Sequence, residues 1–381
     1  MSRHPSPDPN ANSSSFSGST TSSTSLVTSS SSRKQYPKSR FPYTVGSIFS
    51  AKRHTPPDPF GYLYEGQWPP RKEGWEKLSK IDFCWDQPPL PGDSSDNVTV
   101  DFKITELICT GKSRGAQVVQ VDQDKVAKIF DPLYYQGMTH YGTKEDVVGL
   151  ADGDYSREAA AYQELQQDPK ATDLIPKYHG SWTIEVKTFK KENGEIIEKN
   201  REVRLILIAF VKGRRMDSIP LSSLSKKERF NVLAKVLEAG AAICHAGVDH
   251  GDMCPRNIII VGNNLKSKNL KVKVIDFNAA TVLRLCNGES WNKKRLAYLK
   301  SKEPKIMSPI SRFWGCMTEF QSGGWVSDLN DDAEKWLLKT FQDDERYIPL
   351  VHDGEFSHTP ISEGWKEFIM SDINEVSDAK L

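Results

Sequence analysis

Two short polar segments, each joined to an apolar run of β type, limit what this chain can fold into more than any other feature. Residues 250–257 read HGDMCPRN and residues 274–278 read VIDFN. Asp252, Asn257 and Asp276 therefore stand on two loops, each tied to a predicted strand. Phosphoryl transfer needs one carboxylate that orients a hydroxyl group, together with an amide and a second carboxylate that hold Mg²⁺ on the nucleotide phosphates. The pattern predicts these three roles for the three residues, in that order.

The spacing H-x-D-x-x-x-x-N, followed by D-F-x, resembles the catalytic loop and the metal loop of protein kinases. Residues 98–320 are similar to divergent, fungal-type protein-kinase-like domains, and the run 246–252 (AGVDHGD) also resembles aminoglycoside phosphotransferases and choline kinases. The resemblance implies an α+β chain with a two-lobed protein-kinase-like fold, in which a β-rich N-lobe precedes a helical C-lobe. It also implies that ATP and Mg²⁺ bind between the lobes.

The periodicity of apolar residues agrees with that order of lobes. Runs of β-branched residues predict strands at 118–121, 126–130, 182–189 and 202–211, with a turn at Asn193-Gly194 inside the last pair. Further along the chain the apolar residues fall three or four apart, which predicts a helix with one buried face. The residues of that face are Phe230, Leu233, Leu237, Ala241 and Cys244.

The resemblance assigns a role to each residue of the two loops. Asp252 would orient the acceptor hydroxyl and accept its proton, while Asn257 would bind the metal and Asp276 would bind the Mg²⁺ that bridges the phosphates. Each of these residues, taken alone, is equally typical of a turn that a polar side chain caps. Their joint occurrence at this spacing favours the catalytic interpretation.

Lys128 lies in the predicted strand VAKIF and resembles the lysine that contacts the α- and β-phosphates. Its partner is predicted to be Glu158, near the start of a helix that we expect Ser156 to cap. Glu164 is the alternative, and ordinary i,i+4 pairing on a helix explains either glutamate without catalysis. The 30 positions between Lys128 and Glu158 exceed what the family needs, so we expect an insertion over 132–153.

The glycine loop is the thinnest part of the resemblance. The sequence TGKSRGA supplies Gly111 and Gly115 where the family has three glycines. These two would still let backbone N–H groups approach a phosphate, although a simple hairpin turn explains them equally well. The run AFVKG stands where the family has the hinge that contacts adenine, so Ala209 and Val211 are expected to make backbone contacts with the base.

Four departures from the family pattern affect substrate and regulation. Gly251 replaces the arginine that meets an activation-loop phosphate, which argues against control by that modification. Cys254 replaces a lysine and removes one cation near the transferred phosphate; the neighbouring carboxylate disfavours a thiolate there. Asn278 replaces the glycine of D-F-G, and we expect its tolerance of left-handed backbone to preserve the metal loop. The run 307–310 (MSPI) stands where A-P-E is expected.

We expect four segments along the chain. Residues 1–45 are rich in Ser and Thr and are predicted to be a disordered tail. Residues 46–97 form an N-terminal extension dense in Trp, Tyr, Phe and Pro, which we expect to pack on the next segment because such aromatics are costly to leave in water. An aromatic recognition surface is the alternative. Residues 98–320 are the predicted kinase-like domain, and 321–381 are a C-terminal extension packing on or trailing the C-lobe.

Composition narrows the partners. The 51 Lys and Arg against 50 Asp and Glu give a formal charge of +1, so no overall field attracts nucleic acid or an anionic membrane. Apolar runs such as 205–211 fall far short of the roughly 20 residues that cross a bilayer. The six cysteines show no C-x-x-C pair and no metal-ligand spacing, and no secretory pattern opens the chain. We therefore expect an intracellular protein, cytoplasmic or nuclear, without nucleic-acid or membrane partners.

Three functions compete on these grounds. The leading hypothesis is an ATP- and Mg²⁺-dependent phosphotransferase that acts on Ser and Thr hydroxyls of proteins. A small-molecule kinase is the second, favoured by the HGD sequence and the missing A-P-E. The third is a pseudokinase scaffold, which the thin glycine loop favours and the joint presence of Lys128, Asp252, Asn257 and Asp276 opposes.

Overall fold

The structure is a computed structural model that combines a β-rich region with several helices. It describes residues 41–349 apart from 62, 65, 287–290 and 327–329. Most of the expected Ser-rich tail and about half of the expected C-terminal extension lie outside the described residues.

The β-rich region is a closed barrel of six antiparallel strands. In spatial order they run β1, β2, β3, β4, β6 and β5, and β5 closes onto β1. The barrel strands are β1 (Ile48–Arg53), β2 (Thr99–Cys109), β3 (Gln117–Val121), β4 (Lys125–Phe130), β5 (Tyr178–Glu192) and β6 (Glu195–Ala209). The hairpin predicted around 118–130 is confirmed as β3 and β4. The turn at Asn193-Gly194 is confirmed too, and both of its residues have positive φ, which suits an Asn-Gly pair.

Closure of the barrel was not predicted. Strand β1 comes from the segment that precedes the expected kinase-like domain, and it pairs with β2 from Ile48 to Lys52. Alternate residues of the strands point inward, where Phe102, Ile104 and Leu205 are buried in a core of their own. Strand β5 pairs with β1 at 182–184 and β6 pairs with β4 at 204–209, while the outer part of the β5–β6 hairpin pairs only within itself.

Helices and short strands make up most of the rest. The helices are α1 (Lys80–Asp86), α2 (Val147–Leu165), α3 (Pro169–Thr172), α4 (Lys226–His245), α5 (Trp291–Ser301), α6 (Pro309–Phe313), α7 (Thr318–Ser322) and α8 (Asn330–Phe341). The remaining strands are β7 (Arg214–Arg215), β8 (Val248–Asp249), β9 (Ile258–Val261), β10 (Lys271–Val274) and β11 (Thr281–Val282). Strand β9 lies between β10 and β7, and β8 pairs with β11. No helix in the described part of the chain has both the length and the apolar character needed to cross a membrane.

Helix α4 confirms the predicted buried face. A capping box at its start joins Ser225 and Glu228, and each side chain meets the other's backbone N–H. Leu233 and Leu237 are buried in the large core that also holds the inner faces of β9 and β10, and Cys244 is buried in a smaller cluster with Leu299 and Met307. This helix therefore supports the two strands from which the polar loops emerge.

Helix α2 corrects the prediction that Ser156 caps a helix. The helix begins at Val147, and the side chain of Asp146 accepts the N–H of Gly149 at 2.8 Å. Ser156 lies in the helix interior, where its hydroxyl donates to the carbonyl of Gly153 at 3.2 Å. The two glycines lower helix propensity, which is why the pattern predicted a later start. Part of the expected insertion over 132–153 is thus helix.

Candidate active site

Strand pairing brings the two polar loops together. The first loop runs from β8 to β9, and the second runs from β10 to β11. Ile258 pairs with Val274, and the N–H of Ile275 donates to the carbonyl of Asn257 at 2.9 Å. Asp276 follows Ile275 directly. The predicted metal-binding residues Asn257 and Asp276 therefore lie at the same end of the neighbouring strands β9 and β10.

Asp252 and Asn257 form one hydrogen-bonded unit. The amide nitrogen of Asn257 donates to the backbone carbonyl of Asp252 and to its Oδ2, each at 2.9 Å. Both amide hydrogens are directed at Asp252, and Oδ1 of Asn257 takes no part in these bonds. Arg256 makes a further contact with Asp252, in which its Nη2 lies 2.7 Å from Oδ1 and 2.9 Å from Oδ2. Sequence reasoning missed this contact.

The buried ring of His250 contacts the backbone of both loops. Its Nε2 lies 3.0 Å from the carbonyl oxygen of Ile275, and its Nδ1 lies 3.3 Å from the N–H of Asp252. Burial lowers the pKa of His250, so the ring is neutral near pH 7, with the proton on Nε2. Phe277 is fully buried between this ring and Tyr162 of α2, at centroid distances of 4.7 and 5.1 Å. The histidine is therefore a scaffold residue that joins the backbones of the two loops.

Gly251 explains one departure from the family pattern in physical terms. Its φ is +72°, and a Cβ built on it would lie 2.3 Å from the carbonyl oxygen of Ala279. The two loops approach each other backbone to backbone at this point, and no side chain fits between them. The arginine that the family carries here has no space in this chain.

Cys254 is buried beside Asp252 and carries a protonated thiol. Burial and the carboxylate of Asp252 raise the pKa of the Cys254 thiol to about 12. A thiol with that pKa stays protonated near pH 7, which disfavours both nucleophilic and redox chemistry. Position 254 carries no cation, and the nearby Arg256 instead contacts both carboxylate oxygens of Asp252.

Lys128 lies between two carboxylates from different parts of the fold. Its Nζ donates to Oε2 of Glu158 on α2 and to Oδ1 of Asp276, the latter at 2.5 Å. The choice of Glu158 over Glu164 is resolved by this contact, because Glu164 instead binds Arg284 at 2.6 Å. The side chain of Asp276 is 40% exposed, whereas Lys128 and Glu158 are buried.

The protonation states of this cluster follow from burial and charge. Burial lowers the pKa of Lys128, but the carboxylates of Asp276 and Glu158 raise it by more, so the ammonium form is stabilised. Partial burial raises the pKa of Asp276 and Lys128 lowers it, with a net lowering. Burial raises the pKa of Glu158 to about 7, and its Oε1 has no hydrogen-bond partner among the described residues. Asp276 is thus the ionised, solvent-facing acceptor of the cluster.

The backbone of the second loop differs from the expectation for Asn278. The positive φ falls on Asp276, at 69°, and not on Asn278. The carbonyl of Asn278 instead accepts Nε of Arg157 at 2.7 Å. This contact joins α2 to the second loop, and sequence reasoning missed it because one partner is a backbone atom.

Gln117 closes the glycine loop. Its Oε1 accepts the N–H of Gly111 at 2.7 Å, and its Nε2 donates to the carbonyls of Gly111 and Gly115 at 3.1 and 3.0 Å. Gln117 is fully buried, and the two glycines have φ of +126° and +70°. Side-chain bonds therefore hold this loop in shape where the family uses a third glycine, but the N–H of Gly111 is already in use.

The segment that follows β6 lies where the adenine hinge was expected. The N–H of Ala209 donates to the carbonyl of Lys177 at 2.8 Å, so this donor is already in use within the protein. Val211 follows the strand and is half-buried. A Cβ on Gly213 would lie 2.5 Å from the carbonyl oxygen of Ile260, so only glycine permits this approach to β9.

An apolar surface beside Lys128 was also missed. Val126 is two residues before Lys128 on β4, and Val118 is the cross-strand partner of Lys128 on β3. Alternation along a strand puts the side chains of all three on one face of the barrel. The i,i+2 spacing of Val126 and Lys128 is the signal that could have revealed this surface from sequence.

The side-chain oxygens of Asp276 and Asn257 are suited to bind Mg²⁺ when phosphate oxygens supply further ligands. Mg²⁺ prefers oxygen ligands and is commonly held by one or two side chains plus phosphate and water. Asp276 offers an exposed ionised carboxylate, and Asn257 offers Oδ1 on the adjacent strand end. Among the residues that the structure describes, no three His, Cys, Asp or Glu side chains cluster as a closed metal site.

Comparison with known proteins adds little to this geometry. No family model matches the chain, and no curated protein matches its sequence. Among solved structures, the chain is similar to a crystal structure of the BubR1 kinase domain, with 9% sequence identity and a TM-score of 0.34. That match covers 50% of this chain and 50% of the other, so the chain spans about half the length of that domain. A TM-score this low does not establish a shared fold.

Proposed function

We propose that this chain is an ATP- and Mg²⁺-dependent phosphotransferase of the protein-kinase-like class that acts on Ser and Thr hydroxyls of proteins. The observation that carries the proposal is the position of the Lys128 ammonium between Glu158 and Asp276. Lys128 lies on a barrel strand, Glu158 on helix α2 and Asp276 on the metal loop. In this proposal the barrel is the N-lobe and the helical region is the C-lobe. A closed barrel is not typical of the kinase fold.

Each residue of the cluster has a separate task in the proposal. Glu158 fixes the direction of the Lys128 side chain, so that the ammonium group can contact the α- and β-phosphates. Two carboxylates share this single ammonium, and a further cation at the exposed face of Asp276 would lower their mutual repulsion. Bound Mg²⁺ would neutralise charge on the phosphates. Asp276 and Oδ1 of Asn257 are its proposed ligands.

Asp252 is the proposed orienting group for the acceptor. Asn257 holds Oδ2 of Asp252 at 2.9 Å, and the Arg256 guanidinium contacts both of its oxygens. An acceptor hydroxyl would donate to this carboxylate and be directed at the phosphate. The Arg256 cation stands beside the site of transfer and would stabilise charge there.

The openness of the site favours an acceptor on a large molecule. The side chain of Asp252 is 31% exposed and that of Arg256 is 53% exposed. A residue on another protein can reach a carboxylate at this surface, whereas a small molecule is usually held in a deeper pocket. This argument supports protein hydroxyls over the small-molecule alternative.

A second candidate function is a scaffold that binds nucleotide weakly or not at all. The observation in its favour is the bond from Gly111 N–H to Gln117, which withdraws one donor from the phosphate-binding loop. The two candidates differ in the response to Mg²⁺ and ATP, so a binding experiment separates them.

Calorimetry of ATP binding, with and without Mg²⁺, tests the proposal. We expect Mg²⁺ to increase the affinity for ATP in the unmutated protein, and Asp276→Asn to remove that increase. Lys128→Met should weaken binding, whereas Lys125→Met, on the same strand and paired with surface carboxylates, should leave it unchanged. Equal affinity with and without Mg²⁺ in the unmutated protein would contradict the proposal and favour the scaffold.

A further inference from the structure

An N-terminal strap, defined as residues 54–93 apart from 62 and 65, lies along helix α2. It contacts the N-cap of the helix and two positions further along the helix. These contacts extend over about nine residues, or roughly 14 Å of helix. The contacts are Arg71 Nε to Asp146 Oδ2 at 2.7 Å, Leu90 N–H to Asp152 Oδ2 at 3.0 Å, and His54 Nδ1 to Tyr155 Oη at 2.6 Å. Because these are polar contacts between buried or half-buried groups, they fix the register of the strap on the helix.

Tyr64 of the strap also holds the chain that follows the metal loop. Its hydroxyl donates to the carbonyl of Ala280 at 3.0 Å and accepts the N–H of Val282 at 2.7 Å. The side chain is buried, and Tyr64 forms a β-bridge with Cys286. One hydroxyl thus satisfies two backbone groups that lie four and six residues after Asp276.

Arg157 joins the strap, the helix and the metal loop. Its Nη1 donates to the carbonyl of Phe60 at 3.3 Å, its Nη2 to Oδ1 of Asp154 at 2.7 Å, and its Nε to the carbonyl of Asn278 at 2.7 Å. The guanidinium is buried, and the planar fork lets it serve three partners in fixed directions. A Cβ on Gly153 would lie 2.7 Å from Nη1, so the helix surface is hollowed to admit this side chain.

We infer that Tyr64 and Arg157 are positioning residues through which the N-terminal strap holds the metal loop in the conformation that puts Asp276 against Lys128. The inference rests on the proposed function, since the loop is the one that carries the proposed metal-binding carboxylate. Gly251 stands at the position where the resemblance has the arginine that meets an activating phosphate, and a Cβ there would lie 2.3 Å from the carbonyl oxygen of Ala279. The strap, which belongs to the same chain, orders the metal loop in place of such a phosphate.

Amide hydrogen exchange in the full chain tests the coupling without any nucleotide. The variants are Tyr64→Phe, which removes only the hydroxyl, and Arg157→Lys, which keeps the charge but loses the fork. Tyr43→Phe is the matched control, because its buried hydroxyl donates to Asp131 at 2.7 Å inside the barrel region. We expect exchange of residues 278–284 to accelerate by about 10-fold in the two variants and to stay unchanged in the control.

The outcomes of that experiment are decisive in both directions. Acceleration confined to 278–284 supports the inference. Unchanged exchange there in both variants, or equal acceleration throughout the barrel strands, overturns it. Tyr64→Phe keeps the test usable if Arg157→Lys does not fold.

A Mg²⁺ titration of ATP binding supplies a readout that a merely structural role would not move. In Tyr64→Phe we expect the Mg²⁺ concentration for half-maximal effect to rise by about 10-fold, while the affinity for ATP in EDTA stays the same. A fall in melting temperature without that shift overturns the inference. Absence of any Mg²⁺ effect in the unmutated protein removes the proposed function, and the exchange result then still decides whether the strap holds the loop.

Discussion

The Nζ atom of Lys128 lies 2.5 Å from Oδ1 of Asp276, and this contact joins the barrel to the loop that follows β10. The two residues are 148 positions apart. Glu158 of α2 completes the cluster on its buried side. A strand, a helix and a loop thus converge on one ammonium group, and the carboxylate of Asp276 is the member left open to solvent.

Gly251→Ala should destabilise the protein more than an ordinary glycine substitution. The new Cβ would lie 2.3 Å from the carbonyl oxygen of Ala279, in addition to the strain of a positive φ. Gly262→Ala is the matched control, since Gly262 has φ of +95° with no atom within 4 Å of its Cβ position. We expect about 1–2 kcal/mol lost in the control, and at least about 1 kcal/mol more at Gly251.

Urea unfolding of the two variants measures that difference in the free energy of unfolding. Equal losses would show that the loops separate without cost, and that the close approach of Gly251 to Ala279 does not constrain the first loop.

Gln117→Leu should destabilise the protein and weaken ATP binding. The change leaves the N–H and carbonyl of Gly111 and the carbonyl of Gly115 without their partner, at a cost of about 1–3 kcal/mol. Because the side chain holds the glycine loop in shape, its loss also adds an ordering cost to nucleotide binding. Gln120→Leu, an amide on the same strand that bonds Gln123 at the surface, is the control. Chemical denaturation and calorimetry read the two effects separately.

A tighter affinity for ATP in Gln117→Leu would reverse this interpretation. It would mean that Gln117 competes with phosphate for the Gly111 N–H, and would favour the scaffold function for the unmutated chain.

The predictable part of the fold rests on local patterns. The hairpin of β3 and β4, the turn at Asn193-Gly194 and the buried face of α4 each follow from alternation, turn chemistry or helical spacing within a few residues. The loop residues Asp252, Asn257 and Asp276 were recognisable because the chemistry requires those residue types at that spacing. Their proposed roles stay predictions.

The parts that could not be predicted depend on contacts between distant segments. Tyr64 and Ala280 are 216 positions apart, and Arg157 and Asn278 are 121 apart. In both pairs the acceptor is a backbone carbonyl, which has no sequence signature. The start of α2 was placed too late for a related reason. Gly149 and Gly153 weaken the helical pattern, while packing against the strap stabilises the helix.

Asp152→Asn should flatten the dependence of stability on pH. Burial raises the pKa of Asp152 to about 7, above the ordinary value of 3.8 that applies to the unfolded chain. The folded state therefore binds the proton more tightly, so this contribution to stability is fully present below about pH 4 and is lost as the pH rises through 7. The asparagine cannot ionise and still accepts the N–H of Leu90.

Urea unfolding at about pH 4 and pH 8 checks this prediction. Relative to Asp152→Asn, the unmutated protein should lose on the order of 2–4 kcal/mol over that interval. Asp101→Asn, at an exposed position of β2, should show the same pH dependence as the unmutated protein. Parallel curves for all three proteins would show that Asp152 stays ionised in the folded state.

Asp252→Asn should lower the rate of phosphoryl transfer by about 10²–10⁴ while the affinity for Mg·ATP changes by less than about twofold. The reason is its position in the first loop, where it would orient the acceptor hydroxyl rather than hold the nucleotide. Asp217→Asn is a closely matched control. Both carboxylates are 31% exposed and pair with an arginine that is 53% exposed, but Asp217 lies outside the two loops.

The measurement is transfer of radiolabelled phosphate to the protein itself and to panels of peptide and small-molecule hydroxyls, run beside calorimetry. Transfer to peptides that is lost in Asp252→Asn and kept in Asp217→Asn supports the protein-directed function. Transfer to small molecules alone would favour the small-molecule kinase over the protein-directed enzyme. If the unmutated protein binds Mg·ATP but labels neither panel, the scaffold function is favoured. Full transfer in Asp252→Asn would show that this carboxylate is not the group that orients the acceptor, because an amide cannot take the hydroxyl proton.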